Sequence, residues 1–337
     1  MRMRVLITGH TGFKGSWLAI YLKKKGFEIH GLALEAEERS LFNDLQLAEI
    51  LESHQLVDIR DAEKVKQKVS EVKPDVIIHL AAQALVLEGY RKPLETFEVN
   101  IGGTINIALA AIQSQVPNIL IITTDKVYKT GIHDRRLTET DELGGSDPYS
   151  QSKVIADLST QSFMQYSQET IISIARGGNV IGGGDYGSNR LIPDLFHALQ
   201  SGNPVDVRFP EATRPWQHVL DCISGYWKIV EHSFQQGKGD IWNIGPAENS
   251  QVKVESVCSE FEKFFTKDEL WRFSHSSFPE NLKLQLDSSK ALTSLGWAPK
   301  LSIDRALYWT FSWYAEKLRG SGMRGVTEDQ IEEYMNL

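Results

Sequence analysis

Three glycines near the start of the chain do most to limit what it can fold into. In the run Val5-Leu6-Ile7-Thr8-Gly9-His10-Thr11-Gly12-Phe13-Lys14-Gly15 they fall between an apolar strand-like segment and a helix-like one. Gly9 permits a tight turn, Gly12 lets the backbone approach a pyrophosphate at the positive end of the helix, and Gly15 lets helix and strand pack closely. This spacing directly after a strand is expected to bind a dinucleotide through Gly9, Thr11, Gly12, Phe13 and Gly15. An acid about 20 residues further on would take the adenosine ribose hydroxyls and select NAD. Glu35 stands there, yet Arg39 is near enough to suit the 2′-phosphate of NADP, so NAD is preferred and NADP stays open. Asp58-Ile59, ending the third expected strand, is placed to hold the adenine amino group and cover its ring; Asp58 serves equally well as a plain turn residue.

The N-terminal half alternates between two periodicities. Strand-like runs at Arg4–Thr8, Glu28–Leu34, Gln55–Asp58, Val76–Ala81, Ile119–Thr124 and Thr170–Arg176 are separated by helical stretches at Gly15–Lys25, Ala62–Val72, Leu94–Gln113 and Ser150–Gln168. Continuous apolar runs such as Val76-Ile77-Ile78 suit strands buried on both faces, which predicts an α/β fold with a doubly wound parallel Rossmann sheet. Ligands bind such sheets at the carboxyl ends of the strands. After Gly177 the texture changes to glycines and scattered prolines, so a smaller C-terminal substrate-binding lobe is expected. The boundaries read as 1–178, with a segment returning at about 214–245, for the dinucleotide unit. Residues 179–213 and 246–337 form the second lobe and tail, with a helix at Ile303–Leu318, then a loop and a short terminal helix.

Composition removes several classes. With 337 residues and a net charge of −8, the chain can bury a sizeable core but lacks the basic excess of a nucleic-acid binder. No apolar run approaches ~18 residues, so no membrane span is expected. Cys222 and Cys258 are the only cysteines, too few for a disulfide scaffold or a multi-cysteine metal site. No metal is expected, and reduced cytoplasm is the default compartment.

Tyr149 and Lys153 stand four apart at the start of an expected helix, hence on one face. An ammonium beside a phenol favours phenolate, which can take a proton from a sugar hydroxyl as hydride leaves the same carbon. The spacing alone carries little weight; its context, Asp147-Pro148-Tyr149-Ser150-Gln151-Ser152-Lys153 after a strand closed by Thr123-Thr124, carries more. Here nearly the whole chain resembles the extended short-chain dehydrogenase/reductase family. That resemblance makes Thr124, Tyr149 and Lys153 a catalytic set. It also implies that Leu80, Ala81, Ala82, Gln83, Asn100, Thr123, Tyr149 and Lys153 line the cofactor; Asn100 has an equal alternative as a helix-packing amide.

Strand five runs on into Asp125-Lys126, and this pairing resembles the CDP-glucose 4,6-dehydratases within that family. Loss of a C6 hydroxyl requires an acid, because hydroxide leaves poorly unless protonated. Gly178-Asn179-Val180-Ile181-Gly182-Gly183-Gly184-Asp185, Arg190-Leu191-Ile192-Pro193-Asp194 and Arg214-Pro215-Trp216-Gln217-His218 agree with that subfamily. The resemblance implies Asp125 as acid and Lys126 as the group that moves the C5 proton or stabilises the enolate; a turn-capping ion pair is the plainer reading of both. Asn179, Arg190, Leu191, Arg208 and Arg214 are the expected substrate contacts, Arg214 first for the diphosphate, while Trp216 and His218 are expected to pack the wall. The chain departs from the subfamily at Leu87 and Gly89, where arginine and serine are usual, and at Phe278-Pro279-Glu280. Alternatives are an NAD-dependent nucleotide-sugar 4-epimerase and a non-catalytic dinucleotide sensor. The partners implied are a small nucleotide sugar and a second copy of the chain. A homodimer or dimer of dimers would form through a helix bundle involving Ile105, Leu109, Phe163 and Tyr166, which would equally suit the core.

Overall fold

The computed structural model describes residues 2–131, 135–247, 250–274 and 284–337; the Phe278-Pro279-Glu280 departure lies outside them. Seven strands, β1 (Arg4–Thr8), β2 (Glu28–Ala33), β3 (Ser53–Leu56), β4 (Val76–His79), β5 (Asn118–Thr124), β6 (Ile171–Gly177) and β7 (Ile241–Ile244), form one sheet in the order β7-β6-β5-β4-β1-β2-β3. All its pairings are parallel. Because β1 lies between β2 and β4, the crossovers wind outward in both directions and leave a crevice at the carboxyl ends of β1 and β4.

The helices that matter here are α1 (Phe13–Lys24), α2 (Ala62–Val72), α3 (Thr104–Gln113), α4 (Pro148–Tyr166), α5 (Leu191–Ser201), α6 (Val219–Gln236), α7 (Val254–Phe265), α8 (Ile303–Arg319) and α9 (Met323–Met335). Alternate residues of β1 supply opposite faces: Val5 and Ile7 join the core under α1, α6 and α8, while Leu6 joins the one under α2 and α3. Burial on both sides is the physical reason the strand sequences are continuously apolar. Asp147 accepts the Ser150 amide at the start of α4, and Pro148 occupies its first turn. That cap fixes the turn carrying Tyr149.

Three expected elements differ in detail. Leu94–Gln113 is not one regular helix: a wide π turn at Glu98–Gly103 separates Pro93–Phe97 from α3. Gly103 at its end packs against Ile59, where a Cβ would lie 2.3 Å from Ile59 Cδ1. The third strand ends at Leu56, ahead of Asp58, because Val57 and Ile59 turn inward to the core. The tail is a full helix, α9, with Ile331 and Tyr334 buried. It packs on α1, where Lys24 pairs with Glu332, and Arg324 donates to the Leu45 carbonyl at 2.7 Å.

Short strand pairs build the remainder. Val205–Val207 pairs with Trp271–Phe273, and Thr213–Pro215 with Gln251–Lys253. Among the described residues no helix is long and apolar enough to cross a membrane.

Candidate active site

The crevice at β1 and β4 is backbone against backbone. Gly9 has φ +74°, and a Cβ there would lie 2.8 Å from the Ala81 nitrogen; one on Gly15 would lie 2.2 Å from the Gly9 carbonyl. Gly12 is the N-cap of α1 and, among the described residues, no side chain caps it, so first-turn amides face the crevice, where an anion is favoured. Thr8 Oγ1 accepts the Ala81 amide at 3.2 Å, and Thr11 donates to the Leu34 carbonyl. The Asn100 amide accepts from the Gln83 backbone at 2.8 Å and donates to Ser152 at 2.9 Å, tying the loop after β4 to α4. A cradle too tight for side chains, under an open helix terminus, fits a dinucleotide.

Asp58 lies beyond β3 with both carboxylate oxygens held by Arg60, which keeps its carboxyl below the usual range. The Ile59 side chain is buried against Gly103 rather than presented over an open ring site. Arg39 is engaged too, its guanidinium 4.8 Å from the Tyr186 ring centre and donating to Gln200. Glu35 is exposed just after β2.

At the end of β5, Thr124 opens a 3-10 turn, Asp125–Val127, by accepting the Lys126 amide; its hydroxyl donates to Asp125 Oδ1 at 2.9 Å. The first turn of α4 packs on it, and Tyr149 and Thr124 line the same cavity. Thr124, Asp125, Tyr149 and Lys153 are all buried, whereas the Lys126 side chain is 34% exposed, its Nζ 3.8 Å from Asp125. Lys153 Nζ donates to the Ile122 carbonyl at 3.2 Å. Burial pushes the Tyr149 phenol up to about 12, opposed by the neighbouring Thr124 hydroxyl. Burial also pulls the Lys153 ammonium down to about 7, helped by the charge of Lys14. The expected lowering of the phenol is therefore overturned for the protein alone: the ammonium bonds a carbonyl, and desolvation dominates both groups.

Thr123, Thr124, Asp125, Lys126, Tyr149, Asn179, Arg190, Leu191, Arg208 and Arg214 all line one cavity of about 990 Å³. Arg190 is held by Asp185 at 2.9 Å and Arg214 donates to the Thr213 carbonyl. Trp216 forms wall, donating to the Val252 carbonyl, while His218 is buried and accepts the Leu220 amide at the start of α6. Leu87 faces the same cavity, and Gly89 packs on Tyr149, where a Cβ would lie 3.1 Å from the Tyr149 nitrogen.

Sequence reasoning passed over three features. Lys14, at a variable place in the glycine motif, lines the cavity and acts on Lys153. Asp194, one turn into α5, lines it too, and burial pushes its carboxyl up to about 6. Behind Thr123, a buried Arg176 meets Asp157; an arginine in the apolar run of β6 was the available signal.

Residues 5–245 match the NAD dependent epimerase/dehydratase family. The chain is 36% identical, over 99% of its length and 96% of the relative's, to CDP-glucose 4,6-dehydratase of Salmonella typhimurium. It is 24% identical to UDP-glucose 4-epimerase of Bacillus subtilis, over 94% of this chain and 98% of that one. Among solved structures, dTDP-glucose 4,6-dehydratase of Streptomyces venezuelae, crystallised with NAD, superposes with a TM-score of 0.81 at 24% identity, covering 95% of this chain and 99% of that one. With a glycine cradle, a tyrosine–lysine helix and a family match over most of its length, the chain belongs to the NAD dependent epimerase/dehydratase family.

Proposed function

We propose that this chain is a nucleotide-sugar 4,6-dehydratase, a hydro-lyase that converts CDP-glucose or a close nucleotide hexose to its 4-keto-6-deoxy sugar in the cytoplasm. The observation that carries this reading is Asp125. It is a buried acid on the cavity wall, bonded to the Thr124 hydroxyl and sharing that wall with Tyr149. An epimerase needs the tyrosine; loss of water also needs the acid. Residues 1–178 with 214–245 serve as the cofactor unit, and 179–213 with 246–337 bind the sugar nucleotide.

Gly9, Gly12 and Gly15 form the cradle that would hold NAD, which when bound would supply an acceptor and donor for the hydride that moves from C4 to C6. Tyr149 takes the proton of the C4 hydroxyl. The resulting ketone acidifies C5–H, and Lys126 in its neutral form takes that proton or, where water takes it, stabilises the enolate as a fixed charge. Asp125 gives a proton to the C6 oxygen, the C6–O bond breaks, and water leaves. C5 regains a proton as C6 receives its hydrogen, so no net oxidation occurs. Arg190, Arg208 and Arg214 supply the local positive charge that a diphosphate needs on an acidic protein.

The assembly proposed is a homodimer through the faces of 93–113 and α4. Leu94, Leu158 and Tyr166 stand at 71%, 50% and 71% exposure, while Ile105, Leu109 and Phe163 are half-buried. Sedimentation of purified protein reads this directly. The catalytic test is incubation with NAD and CDP-, dTDP-, UDP- and GDP-hexoses, followed by mass spectrometry. A product lighter by one water supports the reading; an isomer of unchanged mass replaces it with the 4-epimerase, and binding without turnover with the sensor. Tyr149→Phe is expected to lower turnover by roughly 10³-fold.

A further inference from the structure

A charged pair lies directly behind the reacting groups and takes no part in the chemistry above. Asp157 is one helical turn beyond Lys153 on α4, and Arg176 stands beside Thr123 across the β5–β6 ladder. Their side chains are 0% and 1% exposed. The guanidinium grips the carboxylate with two prongs, Nε to Oδ2 at 2.9 Å and Nη2 to Oδ1 at 2.8 Å. Thr123 donates to the same Oδ2 at 3.0 Å.

Arg176 also reaches outward. Nη1 donates to the Tyr128 hydroxyl at 2.9 Å and to the Glu139 carbonyl at 3.1 Å. Tyr128 is the residue that closes the turn Asp125–Val127, with its amide donating to the Asp125 carbonyl. Its hydroxyl donates to Asn243 Oδ1 on β7 at 2.6 Å, and Asn243 is itself held to the Leu137 carbonyl. One buried network thus joins the helix bearing Tyr149 and Lys153 to the turn bearing Asp125 and Lys126.

Burying an ion pair is a poor way to stabilise a fold, because desolvation offsets the attraction; its better-attested use is to specify one geometry. Two proton carriers that must address C4 and the exocyclic C6 of one sugar demand such a geometry. Resting on the dehydratase reading, we propose that Asp157, Arg176 and Tyr128 are positioning residues that hold the acid-bearing turn in register with the tyrosine helix. None of them touches the sugar. Their effect falls on water loss, which needs Asp125 in place, more than on C4 oxidation, which needs Tyr149.

The two steps are separable. In a single turnover, reduced nicotinamide appears at C4 oxidation and disappears once water has left and hydride has returned. Tyr128→Phe keeps the ring and removes the hydroxyl that links Arg176 to Asn243. It is expected to slow the disappearance roughly tenfold to a hundredfold, the scale set by misplacing a catalytic group by an ångström. The appearance rate should stay within twofold or so of the wild type, so reduced nicotinamide accumulates. Arg176→Lys, which keeps charge but loses the fork, gives the same readout and stands in should Tyr128→Phe misfold. Equal slowing of both steps, or a wild-type partition in whichever folded variant is measured, overturns the proposal. The dehydratase reading is judged separately on the wild type: without a dehydrated product from it, that reading falls before either variant is scored.

Discussion

At the cofactor end of the cleft, Gly9 and Gly15 bring main chain against main chain, with 2.2 Å between a notional Cβ on residue 15 and the Gly9 carbonyl. At the sugar end, Lys126, Arg190, Arg208 and Arg214 line a cavity of about 990 Å³ from a 3-10 turn, a helix start and short strands. The first end is defined by atoms that must be missing, the second by side chains that can be exchanged. A change at the first should disturb every activity of the fold, and one at the second should redirect it.

Gly15→Ala tests the first half of that contrast most severely. The added methyl meets the Gly9 carbonyl and the His10 Cα, so backbone must move. Overpacking costs about 1–3 kcal/mol, which predicts a loss of NAD affinity of roughly a hundredfold, read by calorimetric titration. Equal affinity in the variant would mean that the cradle is looser than its geometry.

Lys153→Met separates function from stability at the same end. Burial holds the ammonium near 7 in the folded protein against 10.5 for an ordinary lysine. The unfolded chain therefore binds the proton more readily, and the native state bears the full cost below about pH 7, losing it as pH rises toward 10. The variant should be inactive yet more stable by on the order of 2 kcal/mol at pH 6, with the gain fading by pH 10. A gain independent of pH in denaturant titrations would show that the lysine is solvated.

Arg208→Ala probes the sugar end, with KM for the nucleotide sugar expected to rise about tenfold and NAD affinity unchanged. Smallest is Leu87→Arg, which restores the residue usual in the resembling subfamily. It should shift the ranking of nucleotide hexoses by a few-fold in kcat/KM and leave the product type alone.

The same contrast governs what could be read from the sequence. β1 and α2 were legible to the residue because apolar runs and helical spacing leave no other register. Thr124, Asp125, Tyr149 and Lys153 were legible because they close a strand or open a capped helix. The π turn at Glu98–Gly103 was not, since helical spacing does not report a locally widened turn. Nor was the state of Tyr149, because its phenol is set by burial that spacing does not report. The contact of Arg39 with Tyr186 and Phe196, distant in sequence, was not legible either. Arg176 showed as an oddity in β6, but its partner Asp157 needed the fold to be found.

The packing of α9 on α1 has a bearing on how the protein comes into being. Lys24 and Glu332 are 308 positions apart, so the helix whose first turn would meet the pyrophosphate leaves the ribosome long before its outer surface is covered. Through most of translation that face of α1 lacks its α9 partner, which only late synthesis supplies.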